Sequence, residues 1–200
     1  MTTKFDTEAA YILENEQVLL RPLKETDLQF LLPFALNETD TWQFFLKNAA
    51  GEDGMRTYVH EALAARETGK EYAFIVYDKR TQQYAGCTRF YDIQPNHQTL
   101  QLGYTWYGKN FRGTGLNKHC KFLLLQFAFE TLGMARVEFR ADARNERSIA
   151  AMKSIGCTVE GILRDHMALP TGGRRDSIVL SMLKNEWFAT IKDQLGSKLR

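Results

Sequence analysis

One stretch of this chain, residues 105–118, constrains the fold more than any other. A β-branched and aromatic run ends at Thr105-Trp106-Tyr107, glycines follow at Gly108, Gly113 and Gly115, and an apolar pattern of helical spacing begins at Leu116. Glycines let successive backbone N–H groups turn toward one ligand, and a helix N-terminus adds unpaired donors and partial positive charge. The stretch predicts a strand, a loop and a helix that together bind an anion.

The charge around this loop favours the same interpretation. No Asp or Glu occurs between Ile93 and Phe129, a span that contains four basic residues, Lys109, Arg112, Lys118 and Lys121. Over the whole chain, 26 basic and 24 acidic residues leave a net charge of only +2, unlike the lopsided balance of proteins that bind nucleic acid. We therefore expect a local anion site and no nucleic-acid partner. An ordinary glycine turn with a solvated basic face is the plainer alternative.

The rest of the chain alternates between predicted strands and predicted helices. Strand patterns occur at residues 18–22, 72–77, 84–91, 100–107, 136–141, 158–169 and 174–183. Helical spacing occurs at about residues 28–35, 53–68, 116–132, 146–155 and 185–199, and Thr171-Gly172-Gly173 predicts the turn of a hairpin. These patterns predict an α/β (α+β) fold, in which a mixed, largely antiparallel twisted sheet of about seven strands is flanked by helices.

Length and composition bound the organisation and the location. A chain of 200 residues that is 44% hydrophobic can bury its core as one unit, so we expect a single domain over residues 1–200 with a core at about 18–183. Cys87, Cys120 and Cys157 cannot all pair with one another, which favours a reducing compartment such as the cytoplasm. No apolar run is long enough to cross a bilayer. We expect neither a membrane nor a metal ion as a partner.

Two motifs in this chain resemble the GNAT acetyltransferases. The family's Arg/Gln-x-x-Gly-x-Gly/Ala loop is similar to the stretch that begins at Arg112, with Asn117 where a small residue is usual. Residues 145–161 resemble the Asn-x-x-Ser helix and the Gly-Phe-x-x-Glu-Gly ending of the ribosomal-protein N-terminal (serine/alanine) acetyltransferase branch, with Cys157 in place of the aromatic residue. The loop lacks the third glycine of a Rossmann motif and the Gly-Lys-Ser/Thr of a nucleoside triphosphatase. The resemblance covers roughly residues 18–183.

The resemblance implies acetyl transfer from acetyl-CoA to a primary amine, on a small molecule or a protein N-terminus. Coenzyme A would bind along Thr105, Trp106 and Tyr107, and backbone groups of the first and last would hold the pantetheine arm. The loop amides would take the pyrophosphate, and they belong to Arg112, Gly113, Thr114, Gly115, Leu116 and Asn117. Asn145 would cap its helix and face the pantetheine. Ser148 would stabilise or protonate the departing sulfur, because Met152 stands where many members carry a tyrosine.

The acceptor half of the reaction stays open. Gln101 and Met167 stand where members of this branch carry candidate bases, which leaves His119, His166 and four carboxylates, Glu138, Asp142, Glu160 and Asp165. Five aromatic residues could line an acceptor pocket, although core positions are the plainer interpretation. They are Trp42, Phe44, Phe45, Tyr91 and Trp106.

A catalytically silent, CoA-binding regulatory module is the alternative function, and a nucleic-acid-binding domain is a weaker third. A monomer and a homodimer are both compatible with the sequence.

Overall fold

The computed structural model describes residues 5–170 and 172–199. Its strands are β1 (Leu13–Glu14), β2 (Val18–Pro22), β3 (Glu71–Asp78), β4 (Gln83–Gln94), β5 (Thr99–Tyr107), β6 (Arg136–Asp142), β7 (Thr158–Ala168) and β8 (Arg174–Leu183). They form one sheet in the order β1-β2-β3-β4-β5-β6-β8-β7. Neighbouring strands are antiparallel except for the parallel pair β5 and β6.

Helices cover both faces of this sheet. On one face lie α1 (Leu28–Asn37) and α2 (Gly51–Glu67), whose apolar residues pack on β3, β4 and β5. On the other face lie α3 (Leu116–Gln126), which runs into a π-helical turn (Phe127–Thr131), and α4 (Glu146–Ser154). A C-terminal helix in three segments, Lys184–Glu186, Trp187–Ile191 and Lys192–Gly196, packs beside α3. The larger core therefore lies between the sheet and α3.

The predicted α/β fold is confirmed, with differences in detail. The sheet has eight strands because the two-residue β1, too short to leave a pattern in the sequence, pairs with β2. Trp42 is buried as predicted, whereas Phe44 and Phe45 are only half-buried. The C-terminal helix ends at Gly196 rather than at 199. Thr171 of the predicted hairpin turn lies outside the described residues, and no described helix is long and apolar enough to cross a membrane.

The sheet opens between β5 and β6. These strands pair only where Thr99 to Gln101 lie beside Arg136 to Glu138, and they separate beyond that point. Tyr104 has a φ of 48°, a left-handed conformation that is uncommon for a residue with a side chain and bends β5 locally. We call the resulting gap, between residues 102–107 of β5 and 139–142 of β6, the wedge. The loop before α3 and the start of α4 both lie at this end of the sheet.

Candidate functional site

The loop before α3 presents unpaired backbone donors. Gly113 and Gly115 have φ angles of 75° and 88°, a left-handed conformation that glycine adopts with little strain. The backbone N–H groups of Gly113, Thr114 and Gly115 make no hydrogen bond to any described residue, and all three residues are exposed. These donors precede the first turn of α3, where the helix adds partial positive charge. The geometry therefore fits an anion such as a pyrophosphate.

A side chain from a distant turn holds this loop in place. Arg80 donates to the carbonyl oxygen of Thr114 at 3.0 Å and to its hydroxyl at 3.2 Å. The same guanidinium pairs with the buried carboxylate of Asp78 at 3.0 Å. Thr114 in turn donates to the carbonyl of Phe111 at 2.8 Å. Arg80 could not be predicted from the sequence, because nothing in the sequence places the β3–β4 turn beside this loop.

The Arg112 side chain donates hydrogen bonds to two other segments of the chain. Its Nε donates to the carbonyl of Tyr107 at 2.8 Å, and its Nη2 donates to the Thr41 hydroxyl at 2.6 Å. Its backbone N–H already donates to the carbonyl of Lys109 at 3.2 Å. Burial, followed by the charge of Arg147, lowers the pKa of Arg112. The role of Arg112 in binding coenzyme A stays a prediction, and its guanidinium joins the end of β5 to the segment after α1.

Acidic residues from that segment reduce the positive charge that the local sequence predicts. Glu38 accepts a hydrogen bond from the backbone N–H of Lys109 at 2.8 Å and lies 3.9 Å from Arg112. Asp40 pairs with the Lys109 ammonium at 2.9 Å. Lys118 and Arg147 have no carboxylate within ion-pair distance among the described residues. Lys118 and Arg147 are thus uncompensated cations near the loop.

The start of α4 has the predicted cap. The side-chain oxygen of Asn145 accepts from the backbone N–H of Ser148 at 3.1 Å, which confirms the capping role. Ser148 is half-buried, and its hydroxyl makes no hydrogen bond to a described residue. Arg147, between these two residues, is close enough to lower the pKa of Arg112. The first turn of α4 therefore lies near the loop that contains Arg112.

The predicted β5 residues face opposite sides of the sheet. Thr105 is half-buried and faces α3, where its hydroxyl lies 2.7 Å from the ammonium of Lys121. Trp106 is buried on the opposite face, with its ring centroid 4.9 Å from that of Trp42. Both indoles therefore belong to the core under α1 and α2. Tyr107 is buried on the α3 side, and its hydroxyl donates to Asn117 at 3.3 Å.

The four candidate carboxylates are all ion-paired. Glu138 pairs with Arg140 at 2.8 Å and with Arg136 at 3.1 Å, and Glu160 also pairs with Arg136, at 2.5 Å. The other two pairs are Asp142 with Arg144 at 2.7 Å and Asp165 with Arg174 at 3.0 Å. Hydrogen bonds from Arg144 lower the pKa of Asp142, and hydrogen bonds from Ser181 and Arg136 lower that of Glu160. Asp142 and Glu160 are therefore weaker proton acceptors than free carboxylates.

The two candidate histidines have different surroundings. His119 is buried and accepts from the Asn15 side chain at 3.0 Å, which gives it a structural role between α3 and the β1–β2 turn. His166 lies on β7, with its Nδ1 3.0 Å from the hydroxyl of Ser177. Burial, then the charges of Arg140, Arg175 and Arg174, lower the pKa of His166. The lowered pKa favours the neutral imidazole, which is the form that can accept a proton.

Comparison with known proteins supports the resemblance. A family model described as "Acetyltransferase (GNAT) domain" matches residues 17–158. "Putative ribosomal N-acetyltransferase YdaF" from Bacillus subtilis (strain 168) is 27% identical over 183 residues, covering 86% of this chain and 94% of that protein. The structure of a GCN5-related N-acetyltransferase from Brucella melitensis has a TM-score of 0.86 at 25% identity, covering 95% of this chain and 86% of that one.

A more distant structure shares the fold. Microcin C7 self immunity acetyltransferase MccE, solved in complex with acetyl-CoA and AMP, has a TM-score of 0.74 at 20% identity and covers 84% of this chain and 93% of its own. The family model spans more than two thirds of the chain and includes the wedge, the glycine loop and α4. The chain belongs to the GNAT acetyltransferase family.

Proposed function

We propose that this chain is a single domain that transfers an acetyl group from acetyl-CoA to a primary amine, on a small molecule or a protein N-terminus. One observation carries the proposal: three unbonded backbone N–H groups precede α3, next to the wedge in which β5 and β6 no longer pair. The three cysteines are free and buried, which supports action in a reducing compartment such as the cytoplasm.

Each part of the site then has a role in direct transfer. The amides of Gly113, Thr114 and Gly115 bind the pyrophosphate, and backbone groups of Thr105 and Tyr107 hold the pantetheine arm in the wedge. The acceptor nitrogen attacks the thioester carbon, so a C–N bond forms, the C–S bond breaks and the amine proton passes to water or to a base. The Ser148 hydroxyl, which is otherwise unbonded, donates to the departing sulfur.

Because the four candidate carboxylates are ion-paired, the site favours acceptors that are already partly neutral. An α-amine with a pKa of about 7.7 to 8 is neutral in roughly a quarter of molecules near pH 7.4, whereas a lysine with a pKa of about 10.4 is neutral in roughly one in a thousand. An α-amine can therefore react with water as the proton acceptor. His119 is buried and already accepts from Asn15, so His166, which is outside the ion pairs of the described residues, is the remaining candidate base.

Binding of acetyl-CoA tests the donor half. Thr114→Glu places a negative charge beside the three amides, and Thr114→Gln has nearly the same size without the charge. Both variants lose the bond from Thr114 to Phe111, so their difference isolates charge. We expect Thr114→Glu to bind acetyl-CoA at least about tenfold more weakly than Thr114→Gln by isothermal titration. Equal affinities for the two variants would place the pyrophosphate elsewhere.

Turnover distinguishes an enzyme from a silent coenzyme A-binding module. With a panel of α-amines, polyamines and amino sugars, Ser148→Ala is expected to lower kcat by about a hundredfold and to leave acetyl-CoA affinity within about twofold. Ser154→Ala is the matched control, because Ser154 is exposed at the far end of α4 and donates only to the carbonyl of Ala151. Tight binding without turnover of any amine by the wild-type chain would favour the module.

A further inference from the structure

Lys121 is a buried cation without a counter-ion. Its side chain belongs to α3 and is 5% exposed. Its ammonium contacts two hydroxyls, that of Thr105 at 2.7 Å and that of Thr88 at 3.4 Å. No carboxylate of residues 5–170 or 172–199 lies within ion-pair distance of it. Lysine is almost never buried in this way unless it is paired.

The ammonium lies at the wedge. Thr105 is on β5, beyond the last residue that pairs with β6. On the other side of the gap, the Lys121 nitrogen is 5.9 Å from the ring centroid of Phe139 on β6. The nitrogen therefore sits where the two strands have separated, on the α3 side. In the proposed function this is the space that the pantetheine arm occupies.

The hydrogen-bond partners of the Thr105 hydroxyl indicate how the Lys121 ammonium affects it. A hydroxyl has one proton and two acceptor sites. Lys121 fills one acceptor site of Thr105, and the Thr88 hydroxyl, 2.8 Å away, can fill the second. The Thr105 proton then has one described acceptor, the carbonyl of Gly103 at 3.4 Å, near the outer limit of a hydrogen bond. With Thr88 as the donor of that pair, a charged Lys121 leaves the Thr105 proton for an acceptor in the wedge.

We propose that Lys121 is a positioning residue that, through the Thr105 hydroxyl, stabilises negative charge on the sulfur of acetyl-CoA as the C–S bond breaks. The inference rests on the proposed function. The sulfur takes the bonding electron pair, the Thr105 hydroxyl donates a hydrogen bond to it, and the nearby ammonium offsets its charge. Ser148, in the first turn of α4, supplies the second donor. It follows β6 in the chain, whereas Thr105 precedes it. Lys121 itself exchanges no proton with the substrate.

Paired substitutions test this role by separating turnover from binding. Lys121→Met keeps the length of the side chain and removes the charge, and Thr105→Val keeps the shape and removes the hydroxyl. Each is expected to lower kcat by about 10- to 100-fold, with the Kd of acetyl-CoA within about threefold of wild type by isothermal titration. Because the two residues act in series, the double variant should be no worse than about threefold below the poorer single variant. Thr105→Ser should restore most of the activity.

The pH profile is a readout that a structural role would not move. Burial lowers the pKa of Lys121 to about 8, so kcat/KM for acetyl-CoA should fall above about pH 8 in wild type and not in Lys121→Met. The titratable groups that face Lys121 are the thiols of Cys120 and Cys157. Burial raises the pKa of each thiol to about 12, so neither produces this limb.

The outcomes separate the two proposals. A wild-type chain that neither binds acetyl-CoA nor acetylates an amine overturns the proposed function and the inference with it. A wild-type chain that turns over, with a folded Lys121→Met variant within about twofold of its kcat and with the same pH profile, overturns the inference alone. Losses that multiply in the double variant would show that Lys121 does not act through Thr105.

Discussion

Two buried cations lie on opposite faces of the sheet and are held in different ways. Arg89 on β4 is ion-paired with Glu71 and lies over the rings of Tyr58 at 5.0 Å and Tyr104 at 4.5 Å. Burial alone would lower the pKa of Arg89, but Tyr58 and Glu71 raise it above its ordinary value. Burial lowers that of Lys121 to about 8 without an opposing carboxylate. The comparison indicates that the surroundings of Arg89 favour its charged form and that those of Lys121 disfavour it.

The largest expected effect is the loss of stability in Arg89→Met. The change leaves Glu71 without its partner and removes a guanidinium packed on two aromatic rings, so the free energy of unfolding should fall by about 3–5 kcal/mol. Urea unfolding near pH 7 measures it. Arg56→Met is the matched control, because Arg56 is exposed on α2 and pairs with Glu52, a surface pair worth about 0–1 kcal/mol. A loss in Arg89→Met no greater than in this control would remove the contrast with Lys121.

Lys121→Met should act in the opposite direction. With a folded pKa of about 8 against an ordinary 10.5, the unfolded chain binds the proton more tightly, so near pH 7 the charge destabilises the folded state by roughly 3 kcal/mol. Methionine is close in length, so the variant should be as stable as wild type or more stable by up to that amount.

The sign of the pH dependence sharpens this expectation. Between about pH 8 and pH 10.5 the folded chain has lost the Lys121 proton while the unfolded chain still binds it, so wild-type stability rises with pH relative to Lys121→Met. The advantage of the variant should shrink across that range. Parallel urea titrations of both proteins at several pH values measure it. A variant less stable than wild type near pH 7 would mean that Lys121 is a structural residue.

Glu71→Gln leaves Arg89 without a counter-ion, as Lys121 is in the wild type. The amide oxygen still accepts a hydrogen bond from Arg89, but the counter-charge is lost. Hydrogen bonds that involve charged groups contribute about 1.5–3 kcal/mol, and we expect a loss of stability of about 2 kcal/mol. Unfolding in urea at low and high salt measures it, with little salt dependence because the pair is largely buried. An unchanged stability would show that the aromatic rings alone hold Arg89.

The parts of the site that the sequence predicts are local in the chain. Gly113 and Gly115 are identified by the conformation that a tight loop before a helix requires, and Asn145 by its position just before an amphipathic helix. Neighbouring residues determine both features. The strand–loop–helix unit and the α4 cap could therefore be predicted without the rest of the fold.

The parts that the sequence does not predict depend on contacts between distant segments. Arg80 reaches the loop from a turn 34 residues earlier, and Glu38 and Asp40 bring negative charge to a span that contains none. The sequence pattern groups Lys121 with the basic residues of the loop. In the structure Lys121 is buried, because its face of α3 packs against the sheet. Which helix face is buried depends on the strands that pack against it, so composition alone cannot separate Lys121 from the exposed lysines.

Thr88→Val should have the smallest effect and tests which hydroxyl faces the substrate. Thr88 is fully buried, and its contact with Lys121 is long, at 3.4 Å. Valine has the same shape, so we expect a loss of stability of about 1 kcal/mol or less and a fall in kcat of less than about fivefold. Without Thr88 the Thr105 hydroxyl keeps its bond from Lys121 but has one acceptor site free, so its proton is less well oriented. Should Thr88→Val lower kcat as much as Thr105→Val, the ammonium would act on the two hydroxyls as a unit rather than through Thr105.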